Sequence, residues 1–209
     1  MKTSDFYYDL PQRLIAQTPA QPRDAARMMV IHRLSGRRED KIFRELPDFL
    51  RPGEVMVINQ TKVIPARLLG EKEDTHVPVE ILLLKRRNQD EWETLVRPGR
   101  RLKKGALVSF GEGLLRAEIG DTTDAGGRIV RFLYNGVFEE LLDRLGEMPL
   151  PPYIHEKLAD PSQYQTVYAK QEGSAAAPTA GLHFTPEVLS PVREKGVEIV
   201  PVLLHVGLG

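Results

Sequence analysis

Hydrophobic positions along this 209-residue chain change texture near residue 66 and again near residue 137. In the first stretch they come in short groups. Asp5 to Asp9 reads as extended, and Pro11 to Gln17 as a short helix with proline at its first position. A strand from Met28 to His32 leads through the turn signal Ser35-Gly36 towards Phe43 to Phe49. After Pro52-Gly53, the run Val55-Met56-Val57-Ile58 is apolar without alternation, which predicts a strand buried on both faces. It ends in Asn59-Gln60-Thr61-Lys62, at the carboxyl end of the strand, where α/β sheets usually hold ligands.

From 66 to 136 the pattern is one of short β-rich runs: Val79 to Leu84, Trp92 to Val96, Ala106 to Phe110, Leu114 to Ile119 and Ile129 to Tyr134. Turn signals at Pro98-Gly99, Gly111-Glu112-Gly113, Gly120-Asp121, Gly126-Gly127 and Asn135-Gly136 separate them at the spacing of a small sandwich or barrel. Helical spacing returns at Val137 to Leu145 through Phe138, Leu141, Leu142 and Leu145, with Gly146 as the stop. Pro149, Pro151 and Pro152 force an extended segment, and Asp160-Pro161 opens a helix through Tyr168. Thr185-Pro186 opens another that ends at Gly196, with Pro191 expected to kink or split it, before a strand from Val197 to Leu204. The expected fold is a mixed α/β (α+β) main domain built from 1–65 and 137–209, with a small antiparallel β-barrel domain inserted at 66–136.

Composition narrows the chemistry. The 41% of hydrophobic residues supply a core, yet the apolar runs fall far short of the ~20 residues that span a bilayer. The start Met1-Lys2-Thr3-Ser4-Asp5 lacks an apolar signal core, so a soluble cytoplasmic protein without a membrane partner is expected. With no cysteine there are no disulfides, thiolate zinc sites or cysteine nucleophiles, and the five histidines lack close ligand spacing, so no metal is expected. Twenty-nine acidic and 29 basic residues cancel, so any affinity for nucleic acid must come from local clusters.

Two glycine-bearing histidine segments stand out. In Ala175-Ala176-Ala177-Pro178-Thr179-Ala180-Gly181-Leu182-His183-Phe184, small residues let backbone approach a ligand, Gly181 permits positive φ, and His183 can exchange a proton near neutral pH. A tight loop with a core histidine fits the same residues. Val200-Pro201-Val202-Leu203-Leu204 delivers His205 into Val206-Gly207-Leu208-Gly209, either an anion loop after a strand or a strand end with a satisfied histidine. Asn59, Thr61, Lys62 and Arg67 offer amide, hydroxyl and cationic groups, although turn chemistry and solvated charge explain such residues too. Arg97-Pro98-Gly99-Arg100-Arg101-Leu102-Lys103-Lys104 and Lys85-Arg86-Arg87 suit a phosphate backbone or a solvated surface.

Several longer segments carry a resemblance: Asp5-Phe6 with Leu10-Pro11, Val57 to Leu68, Met148 to Ile154, Tyr164 to Tyr168, Ala176 to Phe184 and Leu204 to Gly207. Together they resemble the S-adenosylmethionine:tRNA ribosyltransferase-isomerase family of queuosine biosynthesis, over about the N-terminal three fifths of such a protein. Departures are few. The family usually has asparagine or aspartate where Gln60 stands, often serine where Ala26 stands, and commonly two glycines where His76-Val77-Pro78 stand.

The resemblance implies transfer and isomerisation of the ribosyl part of S-adenosylmethionine onto 7-aminomethyl-7-deazaguanine at the tRNA wobble position. Epoxyqueuosine-tRNA would form, with adenine and methionine released. S-adenosylmethionine is then a co-substrate, no other cofactor is expected, and a monomer is the expected assembly. That chemistry needs a base beside the sulfonium and help for the departing adenine, roles suited to His183 and His205. Thr179, Ala180, Gly181, Phe184 and Gly207 would line the pocket, while Asn59, Thr61, Lys62 and Arg67 would bind ribose or the methionine carboxylate. Arg97, Arg100, Arg101, Lys103 and Lys104 would hold the tRNA backbone. Three other readings use the same residues: a non-catalytic tRNA-binding module, an inactive fragment of the enzyme, and a nucleotide-phosphate enzyme with an anion loop from His205 to Gly209.

Overall fold

The computed structural model of the chain describes residues 1–206. It begins with two one-turn 3-10 helices: the first overlaps the expected extended segment Asp5 to Asp9 only at Asp5 and Phe6, and the second is shorter than the helix expected over Pro11 to Gln17. In Thr3–Phe6 the Asp5 carboxylate accepts from the Lys2 amide at 2.8 Å and closes the turn. Gln12–Leu14 is a single turn after Pro11, and the chain beyond it is pinned because Gln17 bonds the backbone of Tyr153 and His155.

A hairpin follows, with β1 (Arg27–Ile31) antiparallel to β2 (Arg38–Ile42), and then the 3-10 helix Phe43–Phe49. β3 (Val55–Asn59) and β4 (Thr61–Val63) run on in one direction, parted only by Gln60. Six strands then close on themselves: β5 (Arg67–Lys72), β6 (Pro78–Arg86), β7 (Glu91–Arg97), β8 (Leu107–Phe110), β9 (Leu115–Thr122) and β10 (Arg128–Tyr134). Their order is β5-β6-β7-β10-β9-β8, and pairing of β8 with β5 completes an antiparallel barrel, as the alternation and turn spacing predict.

Closure is driven from inside. Leu68, Ile81, Leu83, Val108, Phe110, Leu115, Ile119, Val130 and Phe132 point inward and are at most 1% exposed. Helix α1 (Phe138–Leu145) adds Phe138 and Leu142 to that core, with the Phe138 ring 5.1 Å from Phe132 and 5.9 Å from Trp92. The chain turns extended at Gly146, and glycine is required there because a Cβ would overlap the Pro65 carbonyl where β11 (Gly146–Glu147) lies directly against β5.

The rest of the main region is assembled from pairs distant in sequence. β12 (Gln171–Ser174) is parallel to β4, and β13 (Glu198–Val202) is parallel to β3. Helix α2 (Pro186–Glu194) covers one face of the β3–β13 pair through a cluster of Phe184, Val188 and Leu189 against Phe43, Leu46, Met56 and Ile199. Thr185 caps it, its hydroxyl accepting from the Val188 amide. Pro191 does not split α2: one missing amide in a nine-residue helix is outweighed by Val188, Leu189 and Val192 buried on either side of it.

Two further expectations are corrected. The helix opened by Asp160 stops at Tyr164, because the Gln165 side chain bonds the Val63 amide and carbonyl at 3.0 and 2.6 Å and holds residue 165 extended. β3 is not buried on both faces: Val55 and Val57 are 56% and 61% exposed, since α2 covers only the side bearing Met56 and Ile58.

Candidate functional site

The stretch that leaves β13 is fastened from two sides. Asn59, at the end of β3, donates from Nδ2 to the Leu204 carbonyl at 2.8 Å, while its Oδ1 accepts from the Leu204 amide at 3.1 Å. The same Oδ1 accepts from the Thr61 amide at 3.2 Å. On the other side, Val206 donates its amide to Ser174 Oγ at 2.9 Å, and its carbonyl accepts from the Ala175 amide at 3.1 Å. His205 is therefore held between two anchored neighbours, with its side chain exposed.

Its ring is fixed as well. The buried Thr61 hydroxyl lies 3.2 Å from His205 Nδ1. Gly173 lies against the imidazole: a Cβ there would sit 2.7 Å from Cε1 and 3.1 Å from both ring nitrogens. Gly173 also has φ +134, a backbone conformation that favours glycine. Neither Gly173 nor Ser174 was singled out from sequence. Their only signal was the small-residue composition of the loop after Gln171.

The second histidine segment forms the 3-10 helix Thr179–His183. Gly181 is needed there for close approach and not for positive φ, because a Cβ would overlap Tyr168 Oη and lie 3.0 Å from Thr166 Cγ2. Burial pushes the Tyr168 hydroxyl above the ordinary tyrosine range, and Tyr164 likewise. The His183 ring packs 5.3 Å from Phe43, and Phe43 meets Phe184 edge-on at 4.9 Å. Phe184 lies in the core beneath α2, whereas Thr179 and Ala180 are exposed at the opening of this turn.

The remaining candidates divide by their partners. Lys62 pairs with Glu172 at 2.7 Å, and that bond holds its ammonium above the usual lysine range. Arg67 makes a two-pronged pair with Glu80 at 3.0 and 3.1 Å on the barrel wall. Gly207 lies outside the described residues, as does most of the expected anion loop. Structure thus joins Asn59, Thr61 and His205 directly, and gives His183 a separate aromatic seat.

The basic cluster sits elsewhere on the barrel. Arg100, Arg101, Lys103 and Lys104 line an open groove of about 650 Å3 together with Lys72 and Thr75. Lys104 is paired with Asp121 and Lys72 with Asp74, both at 2.7 Å. Arg97 is exposed at the end of β7. Among the described residues no cluster of three or more His, Cys, Asp or Glu could hold a metal ion, and no helix is long and apolar enough to cross a membrane.

The family model described as "Queuosine biosynthesis protein" matches residues 3–209. A protein of Desulfitobacterium hafniense named S-adenosylmethionine:tRNA ribosyltransferase-isomerase is 60% identical over all of this chain and 61% of its own length. One of the same name from Symbiobacterium thermophilum is 59% identical with the same coverage. A crystal structure of S-adenosylmethionine tRNA ribosyltransferase from Thermotoga maritima is 38% identical, covering 97% of this chain and 58% of that one, at a TM-score of 0.40. The chain spans 61% of the length of the curated relatives named above. With the family model running from residue 3 to the last residue, the chain belongs to the queuosine biosynthesis protein family.

Proposed function

We propose that this chain provides the S-adenosylmethionine and wobble-base site of a tRNA ribosyltransferase-isomerase. The reaction would move and isomerise the ribosyl moiety of S-adenosylmethionine onto 7-aminomethyl-7-deazaguanine in tRNA, giving epoxyqueuosine-tRNA, adenine and methionine. The observation that carries the reading is 60% identity over the whole chain to a relative of that name. The setting is a cytoplasmic enzyme acting as a monomer, with S-adenosylmethionine as co-substrate and no other cofactor.

His183 and His205 are the catalytic groups, one serving as the base beside the sulfonium and the other assisting the departing adenine. Thr179, Ala180 and Gly181 form the rim beside His183, and Gly207 extends the wall beyond His205. Lys62 and Arg67 meet the methionine carboxylate or ribose by exchanging partners with Glu172 and Glu80. Asn59 contributes by anchoring Leu204 next to His205. The groove of Arg100, Arg101, Lys103 and Lys104, with Arg97 beside it, receives tRNA phosphates. A wobble base can leave an anticodon loop at low cost, because loop bases are only partly stacked.

The test is incubation with precursor tRNA and S-adenosylmethionine, followed by mass analysis of the nucleosides and assay of free adenine. Both His183→Ala and His205→Ala are expected to lose turnover while keeping the fold by circular dichroism. Near-normal adenine release from either variant overturns that histidine's role. Binding of tRNA without any binding of S-adenosylmethionine supports a non-catalytic RNA-binding module instead.

A further inference from the structure

We infer that Thr61 and Gly173 are positioning residues that hold the neutral form of His205 with its hydrogen on Nε2, so that His205 serves the site as a hydrogen-bond donor and not as its base. The inference rests on the proposed catalytic role of His205 and deepens it. Proton accounting carries it. The Thr61 side chain is fully buried, and a buried hydroxyl proton without an acceptor costs about 1–3 kcal/mol. Among the described residues, the hydrogen-bond partner of Thr61 Oγ1 is His205 Nδ1, at 3.2 Å. A protonated Nδ1 would use the oxygen as acceptor and leave the hydroxyl proton without an acceptor among the described residues. An unprotonated Nδ1 accepts that proton's hydrogen bond, and the neutral ring must then carry its hydrogen on Nε2.

Gly173 makes this arrangement possible. Any side chain at 173 would stand against Cε1 and both nitrogens and push the ring off Thr61. Asn59 and Ser174 hold the backbone on either side of His205, so the ring cannot recover by a shift of the main chain. Among the described residues Nε2 has no hydrogen-bond partner, so its N–H is the group left to offer to a substrate. A hydrogen-bond donor there suits departing adenine by stabilising the negative charge that grows on its ring as the bond to ribose breaks, while the proton that adenine finally takes comes from another group.

Nitrogen-15 imidazole spectra of the 209-residue chain at alkaline pH, with His205 assigned by its loss in His205→Gln, read the tautomer without any need for turnover. The expected spectrum has Nε2 protonated and Nδ1 unprotonated. In Thr61→Val the Nε2–H to Nδ1–H ratio should fall about fivefold, the value of one ordinary hydrogen bond, and Thr61→Ser should restore it. Gly173→Ala should reproduce the Thr61→Val spectrum. A ring protonated on Nδ1, or a ratio unmoved in Thr61→Val, overturns the inference whatever the activity. Turnover then tests the donor role separately: His205→Gln keeps an N–H hydrogen-bond donor near Nε2 and should retain about tenfold more adenine release than His205→Ala, the value of one hydrogen bond to developing charge. Equal losses in the two variants overturn donation by Nε2, and full activity in both removes His205 from the reaction while the measured tautomer stands.

Discussion

The barrel and the region around His205 are held together by different means. In the barrel, each strand has neighbours on both sides and a continuous core inside it. Around His205 the strands come as parallel pairs, β3 with β13 and β4 with β12, backed by small clusters and tied by single side chains such as Asn59, Gln165 and Ser174. A closed barrel gains stability from area, and a chemical site gains definition from a few directional bonds. The difference explains why the exposed His205 is found among hydrogen-bonded anchors and not in the better-packed barrel.

Substitutions can break this contrast. The largest effect should come from Phe132→Ala, which empties a fully buried barrel position: about 3–5 kcal/mol of stability lost, measured by denaturant unfolding. A loss below about 1 kcal/mol would mean that the barrel is not the stable half. Neutralising Arg100, Arg101, Lys103 and Lys104 together should leave stability intact yet lower the slope of log affinity for tRNA against log salt by about 3–4. An unchanged slope would move the RNA surface off the barrel. Gly181→Ala should cost about 1–3 kcal/mol by forcing the turn off Tyr168, with Tyr168→Phe in the same chain relieving part of the loss.

A pH prediction isolates the same turn. Burial raises the folded-state value of Tyr168 above its unfolded value, so its contribution is full below the unfolded tyrosine pKa of about 10 and is lost as pH rises through the folded value. The wild type should therefore lose more stability than Tyr168→Phe between pH 10 and the folded value, and identical pH profiles would place Tyr168 in solvent. The smallest effect belongs to the barrel turn at His76, where φ is +52 and the resembling family commonly has glycine. His76→Gly should raise stability by at most about 1 kcal/mol through relief of left-handed backbone, measured by the thermal midpoint.

The barrel was legible because its strands repeat one pattern between turns. The exception was β5, where Gly70 interrupts Arg67 to Lys72; a Cβ at that glycine would meet the Phe110 ring at 2.5 Å, so close packing and not a turn is its reason. The site was legible only in part. His183 and His205 stood out by their glycine context, but the bond from Thr61 joins residues far apart in the chain, and no local pattern encodes such a pairing. β12 was hidden for a similar reason, since Gln171-Glu172-Gly173-Ser174 has no apolar rhythm and becomes a strand only by lying along β4. Helix expectations failed at Gln165 because one side chain from a distant segment outcompeted local propensity.

The parallel register that sets Val55 beside Glu198 has a consequence for synthesis on the ribosome. β3 leaves the exit tunnel long before β13 exists, and at roughly 5–20 residues per second it waits about 7–30 seconds for its partner. During that interval the intervening barrel can finish folding, since its contacts are nearer in sequence and need nothing made later. The nascent chain would then carry a completed barrel while Val55-Met56-Val57-Ile58 remains an unpaired apolar strand, open to chaperones or to misassociation, until the residues around His205 emerge.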